Sequence, residues 1–338
     1  MLSARLVGAL LGAWILTHAP IVAQSGSQDT PREPDRAVLW REPSDIAMRD
    51  LFDGPDGGTH APHGTTFRFL KEDLGGSNPK YVVQDDAGTK WKLKLGWEAQ
   101  PETAASRIVS ALGYFADNDY YLANFCLAGL PEKLHRGRSL IDANGCTDGG
   151  RLKLHEDDAA TGQWRWRQNP FTGTREFNGL RTLMAVINNW DVKDINTRDC
   201  TMKDADGEVV RAYWVSDLGA SFGTTRLVLE HARRGGNLKA YRESRFIVNT
   251  TECCVDFGTP DRAAPMILFN PPEYYRRLGL RWIGRQIPRY DARWMGRLLS
   301  RLSADQIRDA FRAAGYSEEE SSGFTAVVEE RIAALQGL

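Results

Sequence analysis

Residues 188–196 read Asn-Asn-Trp-Asp-Val-Lys-Asp-Ile-Asn, and the chain then reaches Ser216-Asp217-Leu218-Gly219 by way of residues 201–203, Asp204-Ala205-Asp206-Gly207 and residues 209–215. Two extended runs around an Asp/Gly turn are a hairpin signal. A hairpin brings the chain back to where it left, so Asp217 is expected near Asn196. Upstream, Leu180, Leu183, Met184 and Ile187 recur at helical spacing, so residues 176–188 are expected to form a buried helix that serves as a rigid mount for the loop after it. Any fold for this chain must join helix, polar loop, hairpin and Asp-Leu-Gly at one place.

The chemistry those residues could perform is narrow. Asp191 can orient a hydroxyl group. Asn196 and Asp217 offer oxygen ligands to Mg²⁺, a hard cation that usually takes one or two protein carboxylates. Lys193 lies between them in sequence and can neutralise charge on a group in transit. Together they read as a phosphoryl-transfer centre. A polar surface loop followed by an unrelated Asp-Gly turn is the structural alternative.

The N-terminal half supplies further parts. Residues 66–70 and 81–83 read as strands around the turn Gly75-Gly76-Ser77-Asn78-Pro79, and Asp85-Asp86-Ala87-Gly88 turns the chain into Trp91-Lys92-Leu93-Lys94-Leu95. In that last strand Lys92 and Lys94 share one face and the apolar residues share the other. One reading gives Gly75, Gly76 and Ser77 a phosphate-facing role through their backbone N–H groups, with Lys94 on the same phosphates. The other is an ordinary pair of hairpins with a solvent-facing lysine row. No Gly-Lys-Ser/Thr follows, so this is not a Walker motif. Residues 101–113 form an expected helix, with Pro101 at the start, Glu102 in the first turn and Gly113 at the end. Glu102 shares a face with Ala105, Val109 and Leu112. It either pairs with Lys94 or complements the helix dipole.

Of 338 residues, 43 are basic and 44 acidic, giving a net charge of −1. That balance supplies no field for nucleic acid or an anionic membrane. The run Trp164-Arg165-Trp166-Arg167 therefore reads as a strand with one covered face rather than as a base-stacking surface. Residues 1–23 are expected to be a signal peptide, with Arg5, an apolar run from Leu6 to Leu16, and Ile21-Val22-Ala23 for cleavage. The run is shorter than the ~20 residues that span a bilayer, so no transmembrane helix is expected in the mature chain and the product is expected to be secreted or periplasmic. A linker to about residue 50 follows.

Cys126, Cys146, Cys200, Cys253 and Cys254 permit disulfides whose pairing the sequence leaves open, and their spacing argues against zinc. His60 and His63 lie beside the glycine-rich run at residues 51–58, which is read as a surface loop. Arg226, Arg233, Arg234, Arg242 and Arg245 make the stretch beyond Phe222 basic. Helices are expected at 273–280, 292–302, 303–314 and from Ser317 onward.

The ordered series of glycine turn, strand lysine, helix glutamate, Asp-x-Lys-x-x-Asn loop, hairpin and Asp-Leu-Gly resembles the protein-kinase-like superfamily. It is nearer to its atypical HipA-like and phosphatidylinositol 4-kinase-like branches than to ordinary protein kinases. The resemblance covers about residues 66–222. It implies a bilobal α+β fold, with an antiparallel-sheet lobe over 51–125 and a mainly helical lobe over 126–338. It also implies ATP and Mg²⁺ as cofactors, Lys94 and Glu102 as the phosphate lysine and its partner, Asp191 as catalytic aspartate, and Asn196 and Asp217 as metal ligands. The acceptor would be a hydroxyl on a protein, lipid or small molecule outside the cytosol. Three features depart from the pattern: Asn189-Trp190 replaces His-Arg, no Ala-Pro-Glu follows, and Glu102 stands eight positions after Lys94. The alternatives are a catalytically inactive, pseudokinase-like binding protein and a nucleotidyl (AMP) transferase that uses the same site.

Overall fold

The computed structural model describes residues 36–76, 78–155, 162–204, 206–223, 236–259, 268 and 271–338. The architecture is mixed α+β. Strands β2 (Thr66–Asp73), β3 (Lys80–Gln84), β4 (Lys90–Leu95), β7 (Cys146–Leu154) and β6 (Asp119–Ala128) close into a barrel, with β2 and β6 parallel and the other pairs antiparallel. Period-two patterning dictates this. Trp91, Leu93 and Leu95 of β4 point inward to meet Phe67, Tyr81, Phe125 and Leu152, and each such side chain contributes about 1.5–3 kcal/mol by leaving water. Lys92 and Lys94 then face outward, as the alternation requires. Trp91 brings a polar atom inside, and its Nε1 donates to Asp85 Oδ2 at 2.8 Å.

Helix α1 (Ala99–Ala111) follows β4 and starts two residues before Pro101, which therefore sits inside the first turn, where its missing N–H costs nothing. Gly113 ends the helical segment at φ +89°, and a Cβ there would lie 2.0 Å from Arg41 O, so glycine is required. Beyond it, β5 (Phe115–Ala116) runs parallel to β9 (Val209–Val215). β9 also pairs with β1 (Ala37–Val38) and forms the expected hairpin with β8 (Thr197–Lys203). A third sheet holds β10 (Ile247–Thr250), β11 (Cys254–Phe257) and β12 (Ile287–Pro288).

The helices are α2 (Arg175–Val186), α3 (Leu238–Glu243), α4 (Pro271–Gly279), α5 (Arg289–Leu299), α6 (Ala304–Ala313) and α7 (Glu318–Gln336). Capping boxes open α6 at Ser303 and Gln306 and α7 at Ser317 and Glu320, as the sequence suggests. Ile108 and Val109 of α1, Leu183 of α2, Met295 of α5 and Val328 of α7 belong to a second apolar cluster, distinct from the barrel interior. At its centre the Phe311 and Phe324 rings stack with centroids 4.8 Å apart. Among the described residues no helix is long and apolar enough to cross a membrane.

Several expectations change. Residues 163–167 form a turn rather than a strand, with bridges at Gly162 and between Arg165 and Gln168. Both tryptophans there are buried in the second cluster, and Trp164 Nε1 donates to Trp214 O at 2.8 Å. The aromatic/basic alternation thus records two buried rings on a turn. The expected linker is ordered from residue 36, because Leu39 and Ile46 are buried in the same cluster. Phe125, the expected end of the first lobe, lies within β6, and the barrel continues to Leu154. Cys126 and Cys146, opposite each other on β6 and β7, form a disulfide, as do Cys253 and Cys254, while Cys200 remains a thiol. The signal peptide and Arg226, Arg233 and Arg234 lie outside the described residues.

Candidate active site

Lys94 is the hub. Its side chain is 1% exposed, and Nζ lies 2.6 Å from Glu102 Oε2, 2.6 Å from Asp217 Oδ1 and 3.2 Å from Glu98 Oε2. Three segments meet here. β4 aims the lysine outward, the first turn of α1 carries Glu102, and Glu98 ends the turn that Gly96 opens at φ +93°. Asp217 arrives from β9 and adopts the left-handed conformation (φ 54°, ψ 54°), which an aspartate tolerates better than most residues. Gly219 lets this segment lie against α1, since a Cβ there would come within 2.6 Å of Glu98 Cβ.

A second cation completes the network. Arg151 stands directly opposite Lys94 on β7, donates from Nη2 to Glu102 Oε1 at 2.8 Å and lies 3.4 Å from Asp119 Oδ1. Glu102 therefore bridges two buried cations, which offsets the cost of burying its carboxylate. Burial alone would lower the Lys94 pKa, but Glu102 and Asp217 outweigh it and raise it. Burial would raise Asp217, yet Lys94, with a smaller contribution from Lys80, holds it down at about 2. Burial dominates at Glu98 and raises it. The centre thus holds an ammonium beside an aspartate whose acidity it strengthens, while burial weakens the acidity of Glu98.

The second group of residues hangs from α2. Thr174 caps the start of that helix by accepting from Phe177 N at 3.2 Å. Past its end, Asn188 turns the chain at φ +55°, and its carboxamide donates to Gly223 O and accepts from Trp190 Nε1 at 2.8 Å. Trp190 is buried and packs on Gly284. Arg331 of α7 donates to Ala185 O at 3.0 Å and Val186 O at 2.9 Å, and Tyr241 donates to Val186 O at 2.6 Å. The carbonyls left over at the end of α2 are thereby satisfied.

From this anchored base, Asn189 Oδ1 accepts from Asp191 N at 3.0 Å, and Lys193 Nζ lies 3.0 Å from Asp191 Oδ1. Asn196 Nδ2 donates to Asp191 O at 2.7 Å, which turns its amide oxygen the other way, and Ser216 N donates to Asn196 O at 2.9 Å. One backbone hydrogen bond thus joins the Asp191–Asn196 loop to the residue preceding Asp217.

Lys94, Glu102 and Asp217 meet at one point, and Asp191, Lys193 and Asn196 form one loop linked to it. The glycine turn stands differently. Gly75 N–H is taken by Asp73 Oδ1 at 2.9 Å, so that amide is occupied within its own turn. Gly76 sits at φ +68° and Ser77 lies outside the described residues. The turn reaches the centre through other residues, as Asn78 lies close enough to Glu98 to favour its ionised form and Lys80, opposite Lys94 on β3, acts on Asp217. Glu98, Arg151, Asn78 and Lys80 were not anticipated. Only strand register, which places Lys80 and Arg151 on either side of Lys94, could have found two of them.

The carboxylates of Glu98, Glu102 and Asp217 offer oxygen atoms that all lie within 4.8 Å of one another. An all-oxygen set with two partly exposed members, Glu98 and Asp217, the latter at 37%, suits a hard dication.

No sequence-family model matches the chain, and no curated relative matches it. Among solved structures it is similar to a Helicobacter pylori proinflammatory kinase, CtkA, with 12% identity, a TM-score of 0.41, and coverage of 80% of this chain and 97% of that one. It is also similar to a Golgi casein kinase (10% identity, TM-score 0.34, coverage 83% and 75%) and to the Golgi casein kinase with Mn/ADP bound (11%, 0.31, 82% and 77%).

Proposed function

We propose that this chain is an Mg²⁺- and ATP-dependent phosphotransferase of a bilobal, kinase-like type that transfers to a hydroxyl acceptor. The observation that carries the reading is the meeting of Lys94 with both Glu102 and Asp217 at 2.6 Å, since Lys94 and Asp217 are 123 residues apart in sequence. A buried lysine held between a helix carboxylate and a partly exposed carboxylate presents fixed positive charge where phosphate oxygens would lie. The barrel through Leu154 forms the first lobe in this reading, and the helical cluster forms the second.

Each residue has one task. Lys94 binds phosphate oxygens, and Glu102, itself held by Arg151, fixes its direction. Asp217 and Asn196 would hold the metal ion, with Glu98 beside Asp217. When bound, Mg²⁺ would neutralise charge on the nucleotide phosphates. Asp191 accepts a hydrogen bond from the acceptor hydroxyl and orients it, while Lys193 supplies positive charge beside it. The Cys126–Cys146 disulfide supports residence in an oxidising compartment outside the cytosol, in keeping with the expected signal peptide.

The test uses purified protein with ATP labelled at either the γ or the α phosphate. Transfer of the γ label, lost in Asp191→Ala and in Asp217→Asn, is the expected result. Transfer of the α label would make it a nucleotidyl transferase. Mg-ATP binding with no transfer to any hydroxyl would leave a pseudokinase, and no thermal shift at saturating Mg-ATP would overturn the nucleotide site altogether.

A further inference from the structure

A cavity of about 830 Å³ lies beside the outward face of the barrel that carries Lys92 and Lys153, a cross-strand pair on β4 and β7. The β8–β9 hairpin contributes Arg198 and Trp214, α1 contributes Arg107, and residues 41–60 close much of the remainder. None of Lys94, Glu102, Asp191, Asn196 and Asp217 lines it. Its size falls within the range of about 300–1,000 Å³ typical of small-molecule sites.

Its charges do not balance internally. Asp117 alone serves two cations, Lys153 at 2.8 Å and Arg198 at 2.9 Å. Lys92 beside them has no carboxylate within ion-pair distance among the described residues, and its pKa is lowered first by burial and then by Lys153. Arg107 is 4% exposed, and Asn118 Oδ1 accepts from its Nη1 at 2.9 Å. Its Nε has no hydrogen-bond partner, and Asp119, Asp56 and Asp50 act on it only at longer range. Arg41 stacks over Phe115 at 5.1 Å and leaves Nη2 buried without a partner.

The carboxylates around the rim are already engaged. Asp45 holds Arg49 at 3.0 Å, Glu42 holds Arg301 at 3.3 Å, Asp56 accepts from Tyr120 at 2.8 Å, and Asp50 caps the N–H groups of Phe52 and Asp53. The glycine-rich run near residue 54 has a definite place here. Gly54, at φ +92°, seats on the Arg107 guanidinium so closely that a Cβ would fall 1.2 Å from Nη1.

Arg107 is buried and Lys92 and Arg41 half-buried, and cations so placed without a carboxylate in ion-pair distance are unfavourable unless an anion meets them. We propose that this cavity is a second binding site, separate from the Lys94–Asp217 centre, for a small molecule bearing more than one phosphate group. Lys92, Arg107 and Arg41 come from three different segments, so a single carboxylate with two oxygens could not serve them all. Polyphosphate oxygens can, because Arg and Lys both recognise them with charge-assisted bonds. Trp214 and Phe115 supply apolar wall for whatever carries the phosphates.

The proposal is independent of phosphoryl transfer and is tested without it. Inorganic pyrophosphate and tripolyphosphate are titrated calorimetrically, with EDTA present, into the whole protein and into folded Lys92→Gln and Asp217→Asn variants, with circular dichroism checking the fold. Lys92→Gln is used because Arg107→Gln, at a buried position, risks misfolding. Saturable binding is expected to wild type and equally to Asp217→Asn, and about tenfold weaker to Lys92→Gln, which is the loss of one charge-assisted contact. Absence of binding at millimolar anion, or equal affinity in Lys92→Gln, would overturn it. So would a changed affinity in Asp217→Asn, since Asp217 pairs with Lys94 and a change would put the anion at that centre. Polyphosphate binding without any Mg-ATP binding would leave this site standing while removing the proposed function.

Discussion

Replacing Lys94 by methionine keeps the buried stem and removes one charge, which isolates the electrostatics of the centre. The wild-type ammonium serves three carboxylates at 2.6, 2.6 and 3.2 Å. Without it Glu98, Glu102 and Asp217 face one another with Arg151 and, at longer range, Lys80 to offset them. Removing one partner of a buried pair costs about 3–5 kcal/mol. Two features place this case at the low end: Glu102 keeps Arg151 at 2.8 Å, and the Asp217 side chain, 37% exposed, can recover water.

The expected loss is therefore about 3 kcal/mol near neutral pH, read from urea unfolding followed by the fluorescence of the ten tryptophans. The sign of its pH dependence follows from the same geometry. In the variant the crowded carboxylates have folded-state pKa values raised above their unfolded values. Their destabilisation is thus greatest at neutral pH and is relieved as pH falls toward the ordinary carboxylate range. Unchanged stability at neutral pH would refute the buried network. An equal loss at neutral pH and at about pH 5 would show that packing rather than charge is responsible.

Three further outcomes are expected. Gly219→Ala puts a methyl group within 2.6 Å of Glu98 Cβ, so it should separate Asp217 from α1 and abolish the Mg-ATP thermal shift while leaving circular dichroism close to wild type. Arg331→Met removes the guanidinium bonds to the Ala185 and Val186 carbonyls, which keep Asn188 N and Tyr241 as partners, and should cost about 1.5–3 kcal/mol in chemical unfolding. Asp117 is held at about 2 despite its burial, chiefly by Lys153 and Arg198. Its stabilisation, of order 2 kcal/mol, is present above the ordinary Asp pKa and lost as pH falls from about 4 to 2, so Asp117→Asn should flatten the acid limb of a stability–pH profile.

What could be read from the sequence follows the range of the interaction. Lys94 was legible because period-two alternation fixes its face, and Glu102 because a carboxylate on an apolar helix stripe needs a cation. Asp217 was legible because a hairpin returns its own chain. Glu98 sits in a turn with no periodicity to place it, and Arg151 meets the centre only through the pairing of β4 with β7, which local pattern does not encode. Trp164 and Trp166 misled for a related reason: a turn that buries two alternate rings looks like a strand when read one residue at a time. Asp73 capturing the Gly75 N–H shows the opposite limit, where a local side chain takes the group that a ligand was expected to use.

The anchoring of α2 by Arg331 bears on how the protein becomes competent. A chain emerging N-terminus first, from a ribosome or through a translocation channel, exposes Ala185 146 residues before the arginine that secures it. At typical synthesis rates that gap lasts roughly 7–30 s. During that interval the Asp191 loop hangs from a helix end that has Asn188 N on Ala185 O and, later, Tyr241 on Val186 O, but not yet the Arg331 guanidinium. The last anchor of this helix end is therefore supplied by α7, well after every residue of the centre has emerged.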